Sequence, residues 1–201
     1  MATKRYKFLN RGFKSVNGSC KWGIGKWNKF DGELELCESG FHCSKRIYDA
    51  FNYVQGEILA EVEVRGKSIK QDDKEVWSEM RVVKAWKWQK KDSVLLVIYV
   101  AKLLLPNFEK KFPNDKRPRK AIEEAERYLK TGSKKGLESA DLVGSAAADL
   151  GGSAVDLVGS AESAADFAAW AARVARSVWS ALLKKIYTWM DKRLSELEEI
   201  K

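Results

Sequence analysis

The sequence predicts an α+β protein: an N-terminal twisted antiparallel β-rich domain with one short helix, followed by a C-terminal helical hairpin or bundle. Three observations carry this. Short alternating apolar runs separated by glycine-containing turns fill residues 1–91. One stretch within them, residues 45–54, switches to helical spacing. From Asp92 the apolar period lengthens to three or four residues and stays there. The expected organisation is a β-rich domain over 1–91 and a helical region over 92–201. Within the latter lie an Ala/Gly-rich repeat at 137–165 and an amphipathic helix at 162–199.

Taken in order, Tyr6–Leu9 reads as a strand that turns at Arg11-Gly12, and Phe13–Val16 as a second, with Asn17-Gly18 as a hairpin turn. Cys20, Trp22 and Ile24 alternate onto one face. Gly23 and Gly25 clear the other, so Trp22 and Trp27 either pack in the core or flank a flat ligand. Leu34 and Leu36 alternate with Glu33 and Glu35 as a half-buried strand. Ser44 is placed to cap a helix carrying Ile47, Ala50, Phe51 and Val54, with Tyr48 beside that stripe and Gly56 at its end. Ile58–Val64 alternates, with Leu59, Glu61 and Glu63 outward and Gly66 as its stop. Over Val76–Trp88, alternation puts Val82, Lys84, Trp86 and Trp88 on one side.

Beyond Asp92 the body SVLLVIYVAKLLL is apolar nearly all round, which calls for burial on both faces, and Pro106 is expected to end it. Pro118 suits the first turn of the next helix, which closes at Thr131-Gly132. Residues 139–161 repeat SADLVGSA-like units, bringing Asp141, Asp149 and Asp156 to near-heptad spacing as a helix or a flexible linker. The stripe Phe167, Val174, Val178, Leu182, Ile186, Met190, Leu194 and Leu197 is the strongest helical pattern in the chain. It needs cover from the 92–130 helices or from a second copy, so a homo-oligomer through this helix is one expectation.

Charge and cysteine usage narrow the function classes. Residues 1–91 carry 19 Lys and Arg against 12 Asp and Glu, residues 92–136 carry 11 against 6, and residues 137–201 carry 7 against 10. The positive excess in the first two thirds suits an acidic protein, a nucleotide or nucleic acid as partner. Three cysteines favour a reducing compartment over a disulfide framework. No apolar leader follows MATKRYKFLN, and the longest apolar run, Val94–Leu105, is too short to span a bilayer. The expectation is a cytoplasmic protein without a membrane partner.

His42 is the only histidine. It precedes Ser44, Lys45 and Arg46 at the expected helix start, where a phosphate-bearing ligand could rest. The candidate binding set is His42, Ser44, Lys45, Arg46, Tyr48, Trp22, Trp27 and Arg11. Cys20, Cys37, His42 and Cys43 include no Cys-x-x-Cys pair, and His42 and Cys43 point to opposite faces of a strand, so no metal is expected. GIGK at 23–26 lacks the spacing of a phosphate loop, and no nucleophile–base pair is apparent, so neither a catalytic set nor a cofactor is expected.

The run RGF, GKW, CESGFHCS, an aromatic-rich helix and ILAEVEVRG over residues 4–88 resembles a domain of unknown function frequent in phage and prophage proteins. NDKRPRKAIEEAERYL within 92–130 resembles the helical part of immunity proteins. The first resemblance implies a mobile-element setting. It leads to the expectation of a phage-encoded, non-enzymatic inhibitor that blocks a host defence protein, in the manner of an anti-CRISPR protein, or sequesters its nucleotide signal. Gly40, Phe41, Ser44, Tyr48 and the 58–64 strand are also similar in outline to the ADP-ribosyltransferase-like fold. That alternative implies an NAD-using enzyme, with Arg11, at the turn after the first strand, as the available arginine and Glu61, Glu63 or Glu79 as its glutamate. Direct nucleic-acid binding is a second alternative.

Overall fold

A computed structural model describes residues 4–132 and 181–201. The repeat at 137–165, its three aspartates, and the stretch of the expected C-terminal helix before residue 181 lie outside the described residues. The chain divides into two compact units, one of Met1–Gln89 with Tyr187–Lys201 and one of Lys90–Ile186.

The first unit is a curled antiparallel sheet with one short helix. Its strands are β1 (Arg5–Asn10), β2 (Lys14–Ser15), β3 (Trp27–Lys29), β4 (Phe41–Cys43), β5 (Ile58–Lys70) and β6 (Glu75–Lys87), and its helix is α1 (Ile47–Tyr53). The order is β2-β1-β5-β6-β3, with β4 also on β6. The two 13-residue strands β5 and β6 form a long hairpin that is the spine of the unit. Its centre is apolar, mostly valine and alanine: Ala60, Val62, Met80, Val82 and Ala85 are fully buried. They share a core with Leu9, Trp22, Cys43 and Trp77.

Two irregularities in this hairpin overturn the simple alternation. Glu61 pairs with Lys84 but Val62 with Val82, so Val83 is an extra residue. A bulge of this kind flips every side chain beyond it. Val82 and Ala85 therefore face the same core, whereas Trp86 and Trp88 do not lie with Val82 as expected. Trp88 instead meets Phe8 at 5.4 Å and Phe51 of α1 at 5.9 Å, making a second, aromatic core on the other side of the sheet. For the same reason Leu59 is fully buried and Glu61 nearly so, rather than outward. The second bulge, between Arg65 and Ser68, lets β5 run through Gly66 to Lys70 instead of stopping there. Gly66 has φ +83°, and a Cβ on it would meet the Ser78 Oγ that accepts the Lys67 N–H.

Other local expectations change. Leu34 and Leu36 form no strand; residues 36–38 are a turn closed by the Ser39 N–H on the Glu35 carbonyl at 3.0 Å. Ile24 is 45% exposed, because the Gly25 N–H has already turned to the Val82 carbonyl. Helix α1 is capped at Val54, two residues before Gly56.

The outer edge of β6 is tiled by short pieces. Residues 75–77 take β4, 79–81 take β3, and Val82 takes the Gly25 N–H. The last stretch takes the C-terminal tail. The Lys87 N–H donates to the Glu198 carbonyl at 2.9 Å, and the Ile200 N–H to the Ala85 carbonyl at 2.8 Å. Ile200 packs on the sheet core and Lys87 pairs with Glu198. The C-terminal helix accordingly stops at 194 instead of 199. Leu182, Ile186 and Met190 of its stripe are buried.

Within the first unit, Tyr187 donates to the Asp49 carboxylate of α1 at 3.0 Å. Burial pushes that carboxyl up from 3.8 to about 6, against the opposing effect of the Tyr187 hydrogen bond. The folded protein thus holds this proton more tightly than the unfolded chain, so stability is lost as pH rises through the window from about 4 to 6. Asp49→Asn removes the buried charge and keeps an oxygen for Tyr187. It is expected to stabilise the protein by about 1–2 kcal/mol at pH 8 and to change little at pH 4. Urea denaturation at the two pH values checks this.

The second unit contains α2 (Lys90–Lys111) and α3 (Arg117–Thr131). They run antiparallel, as Lys102–Glu126 and Arg119–Glu109 pairing requires. Val94, Ile98, Ala101 and Leu105 of α2 meet Ile122 and Ala125 of α3. Leu96, Val100 and Leu104 on the other side of α2 are also buried, as its all-round apolar sequence requires. Pro106 lies inside α2 and does not end it. Leu104, Leu105 and Phe108 are buried on either side of the proline, and that burial offsets the roughly 3 kcal/mol that its lost hydrogen bond and ring clash cost together. Pro118 stands in the first turn of α3, and Gly132 closes it in the left-handed conformation. Among the described residues no helix is long and apolar enough to cross a membrane.

Candidate functional site

The first unit carries a cleft of about 510 Å³ between β1, β4, the end of α1 and the loops at 15–22 and 37–40. It gathers the single histidine, all three cysteines and two lysines, Lys7 and Lys74. The thiols are free.

Lys7 is the residue the sequence reading missed. It alternates with Arg5 and Leu9 on β1, which carries its amine inward beside the core. The Lys7 Nζ donates to the His42 carbonyl at 3.0 Å and lies 5.6 Å from the centre of the Trp22 ring. Burial lowers its pKa, with the neighbouring Cys43 and Cys20 pulling the other way. Lys74 stands over the Tyr53 ring at 4.9 Å, with its Nζ 3.1 Å from Cys37 Sγ. The Tyr53 hydroxyl donates to Asp73. An aromatic wall completes the cleft: Trp22 meets Phe41 edge-on at 5.1 Å, and Phe41 meets Phe30 at 6.3 Å. Trp22 is itself buried, its Nε1 donating to Ser15 Oγ at 3.0 Å, so Phe41 and Phe30, both only half-buried, offer the accessible ring surface.

His42 lies on strand β4, not at a helix start. Its Nε2 accepts the Cys37 N–H at 2.8 Å, which fastens the turn where Cys37 adopts φ +71°. Burial, then the charge of Lys7, lowers its pKa, so the ring is neutral at pH 7 and acts as an acceptor. Burial also raises the Cys20 thiol, and that of Cys43 to about 12. Among the described residues no three His, Cys, Asp or Glu side chains come together to hold a metal.

The expected binding set divides. Trp22, His42 and Ser44 line the cleft; Lys45, Arg46, Tyr48, Trp27 and Arg11 do not. Ser44 is buried and caps nothing: its N–H and carbonyl pair with Tyr6, and the helix cap is Arg46, without a side-chain bond. Lys45 lies 3.9 Å from the buried Glu75. Arg46 covers the Tyr187 ring at 5.2 Å, and Tyr48 meets the same ring edge-on at 6.5 Å. Trp27 stands apart from Trp22 because Gly25, at φ +78°, turns the chain between them. It is held between Arg65 at 4.0 Å and Arg81 at 4.9 Å. Arg11 lies on an exposed turn fixed by its own N–H to Glu57.

The glutamates of the enzyme alternative also lie off the cleft. Glu61 pairs with Lys4, Glu63 with Arg81 and Glu79 with Arg65. What the cleft offers is ring surface and two amines, Lys7 on β1 and Lys74 in the turn between β5 and β6, a binding chemistry.

Residues 3–91 match the model of a family described as a domain of unknown function, DUF7666. No curated protein and no solved structure matches the chain.

Proposed function

We propose that this protein is a non-enzymatic binding protein whose cleft holds a small anionic ligand with a flat ring, of the nucleotide class. The carrying observation is the placement of Lys7 and Lys74 in one cleft with the accessible faces of Phe41 and Phe30. About 510 Å³ suits a ligand of that size. The phage-type resemblance of residues 4–88 supports a sequestering role: a phage-encoded inhibitor that withholds a nucleotide signal from a host defence system. The half-buried, neutral His42 and the thiols of Cys20 and Cys43, both raised by burial, support holding rather than turnover.

Calorimetry of the full chain against a panel of mono- and dinucleotides tests this. Lys7→Met is expected to weaken binding about tenfold or more, the loss of one charge-assisted hydrogen bond, whereas Arg11→Ala outside the cleft leaves it unchanged. Equal affinity of Lys7→Met and the parent chain would sink the reading. A pull-down from a bacterial host that returns no defence component leaves the ligand reading standing and removes direct protein blockade. Tight binding to DNA or RNA with a steep salt dependence, and none to nucleotides, would favour the nucleic-acid alternative instead.

A further inference from the structure

Lys7 has a chemistry that charge-based binding leaves unused. It stands on β1, and its half-buried side chain lines the cleft. Among the described residues it forms no ion pair; its partner is the His42 carbonyl at 3.0 Å. A partly buried lysine without a counter-ion carries more of its neutral form, and the neutral amine is a nucleophile. The buried direction of its pKa agrees with this geometry. The two thiols nearest to it, Cys20 and Cys43, are both pushed up by burial and stay protonated, so they compete poorly for an electrophile. Lys74 at the Tyr53 side of the cleft supplies a positive charge for an anionic group.

We infer that Lys7 captures a carbonyl: a small anionic aldehyde on a flat ring enters the cleft and forms an imine with the Lys7 amine. The inference rests on the cleft being the ligand site proposed above. The nitrogen lone pair attacks the carbonyl carbon, and the C=O π pair moves to oxygen, which takes up a proton. The resulting carbinolamine loses that hydroxyl together with a proton from nitrogen as water, leaving C=N. Amine and aldehyde give imine and water, with no change of oxidation state. The His42 carbonyl accepts one N–H and so tethers the amine at the cleft wall.

Pyridoxal 5′-phosphate, an aldehyde on a flat ring that bears a phosphate, is a suitable probe. The full chain is incubated with it, reduced with borohydride and mapped by peptide mass spectrometry. The expected result is about tenfold more secondary-amine adduct at Lys7 than at any other lysine. Lys7→Arg should lose that adduct, whereas Arg11→Ala, outside the cleft, should keep both the adduct and nucleotide binding. Pyridoxine 5′-phosphate, which lacks the aldehyde, should compete with the labelling. Adduct spread evenly over surface lysines would overturn the inference. So would nucleotide and pyridoxine phosphate binding with no adduct at Lys7, and in that case the cleft reading survives. If neither ligand binds and no adduct forms, both fail together.

Discussion

Glu75→Ala is expected to destabilise the protein by about 3–5 kcal/mol, the usual cost of breaking a buried charge pair by removing one partner. Glu75 has no exposed surface. Arg5 grips its carboxylate with two donors, Nε at 2.7 Å and Nη2 at 3.1 Å, and Trp77 Nε1 adds a third at 2.8 Å. Burial alone would raise this carboxyl, but the hydrogen bonds from Arg5 and Trp77, with the charges of Arg5 and Lys45, outweigh it and hold the pKa below its ordinary 4.5. Truncation leaves the Arg5 guanidinium, itself 8% exposed, without a counter-ion, and orphans the Trp77 N–H. The depressed pKa also sets a pH dependence. The stabilisation is fully present above the unfolded value near 4.5 and is lost as pH falls through the folded one. Urea denaturation at pH 7 and pH 3 measures both effects. A cost below about 1 kcal/mol at pH 7 would show that the pair is not what joins β1 to the start of β6. A double replacement, Arg5→Met with Glu75→Leu, should recover much of the loss, because apolar pairs replace buried ion pairs at little cost.

Gly56→Ala is expected to cost roughly 3 kcal/mol, at the upper end for overpacking by one methyl group. A Cβ there would lie 2.4 Å from the Leu9 carbonyl oxygen and 2.8 Å from its carbon. Those atoms are backbone in β1, tied to Ser15 on one side and Ile58 on the other, so they cannot swing aside as a side chain would. Gly12→Ala is the control. Gly12 has φ +73° but open space around it, so only the left-handed strain of about 1–2 kcal/mol applies. Thermal unfolding of the two variants separates crowding from backbone strain. Equal losses would show that Gly56 needs only conformational freedom.

The fold class was legible because it rests on periodicity. Alternation over 58–64 and 76–82, and the change of period at Asp92, are local signals that tertiary context did not reverse. What was hidden depends on contacts between residues far apart in the chain. The bulge at Val83 leaves no composition cue, yet it moves Trp86 and Trp88 to the other face. Pro106 reads as a helix stop until burial on both sides of it is known. At the cleft, His42 was conspicuous for being unique, but its partner Lys7 sits 35 residues earlier among scattered surface lysines. The only clue was that Lys7 shares a strand face with Leu9. Ser44, Lys45 and Arg46 were read as one anion-binding cluster because they are neighbours in sequence. The chain leaves the sheet there, so successive side chains go to a buried strand end, an ion pair and a tyrosine ring.

The tail that completes the outer edge of β6 also fixes a timetable. Residues 198–200 settle beside residues 85–87, more than a hundred positions after that strand has been made. During synthesis, the hundred or so residues between the two are therefore made while one stretch of sheet stands open. Closure of such a distant pairing is an entropically slow event. Until then, the exposed rim at Ala85–Lys87 is a place where nascent copies can meet one another.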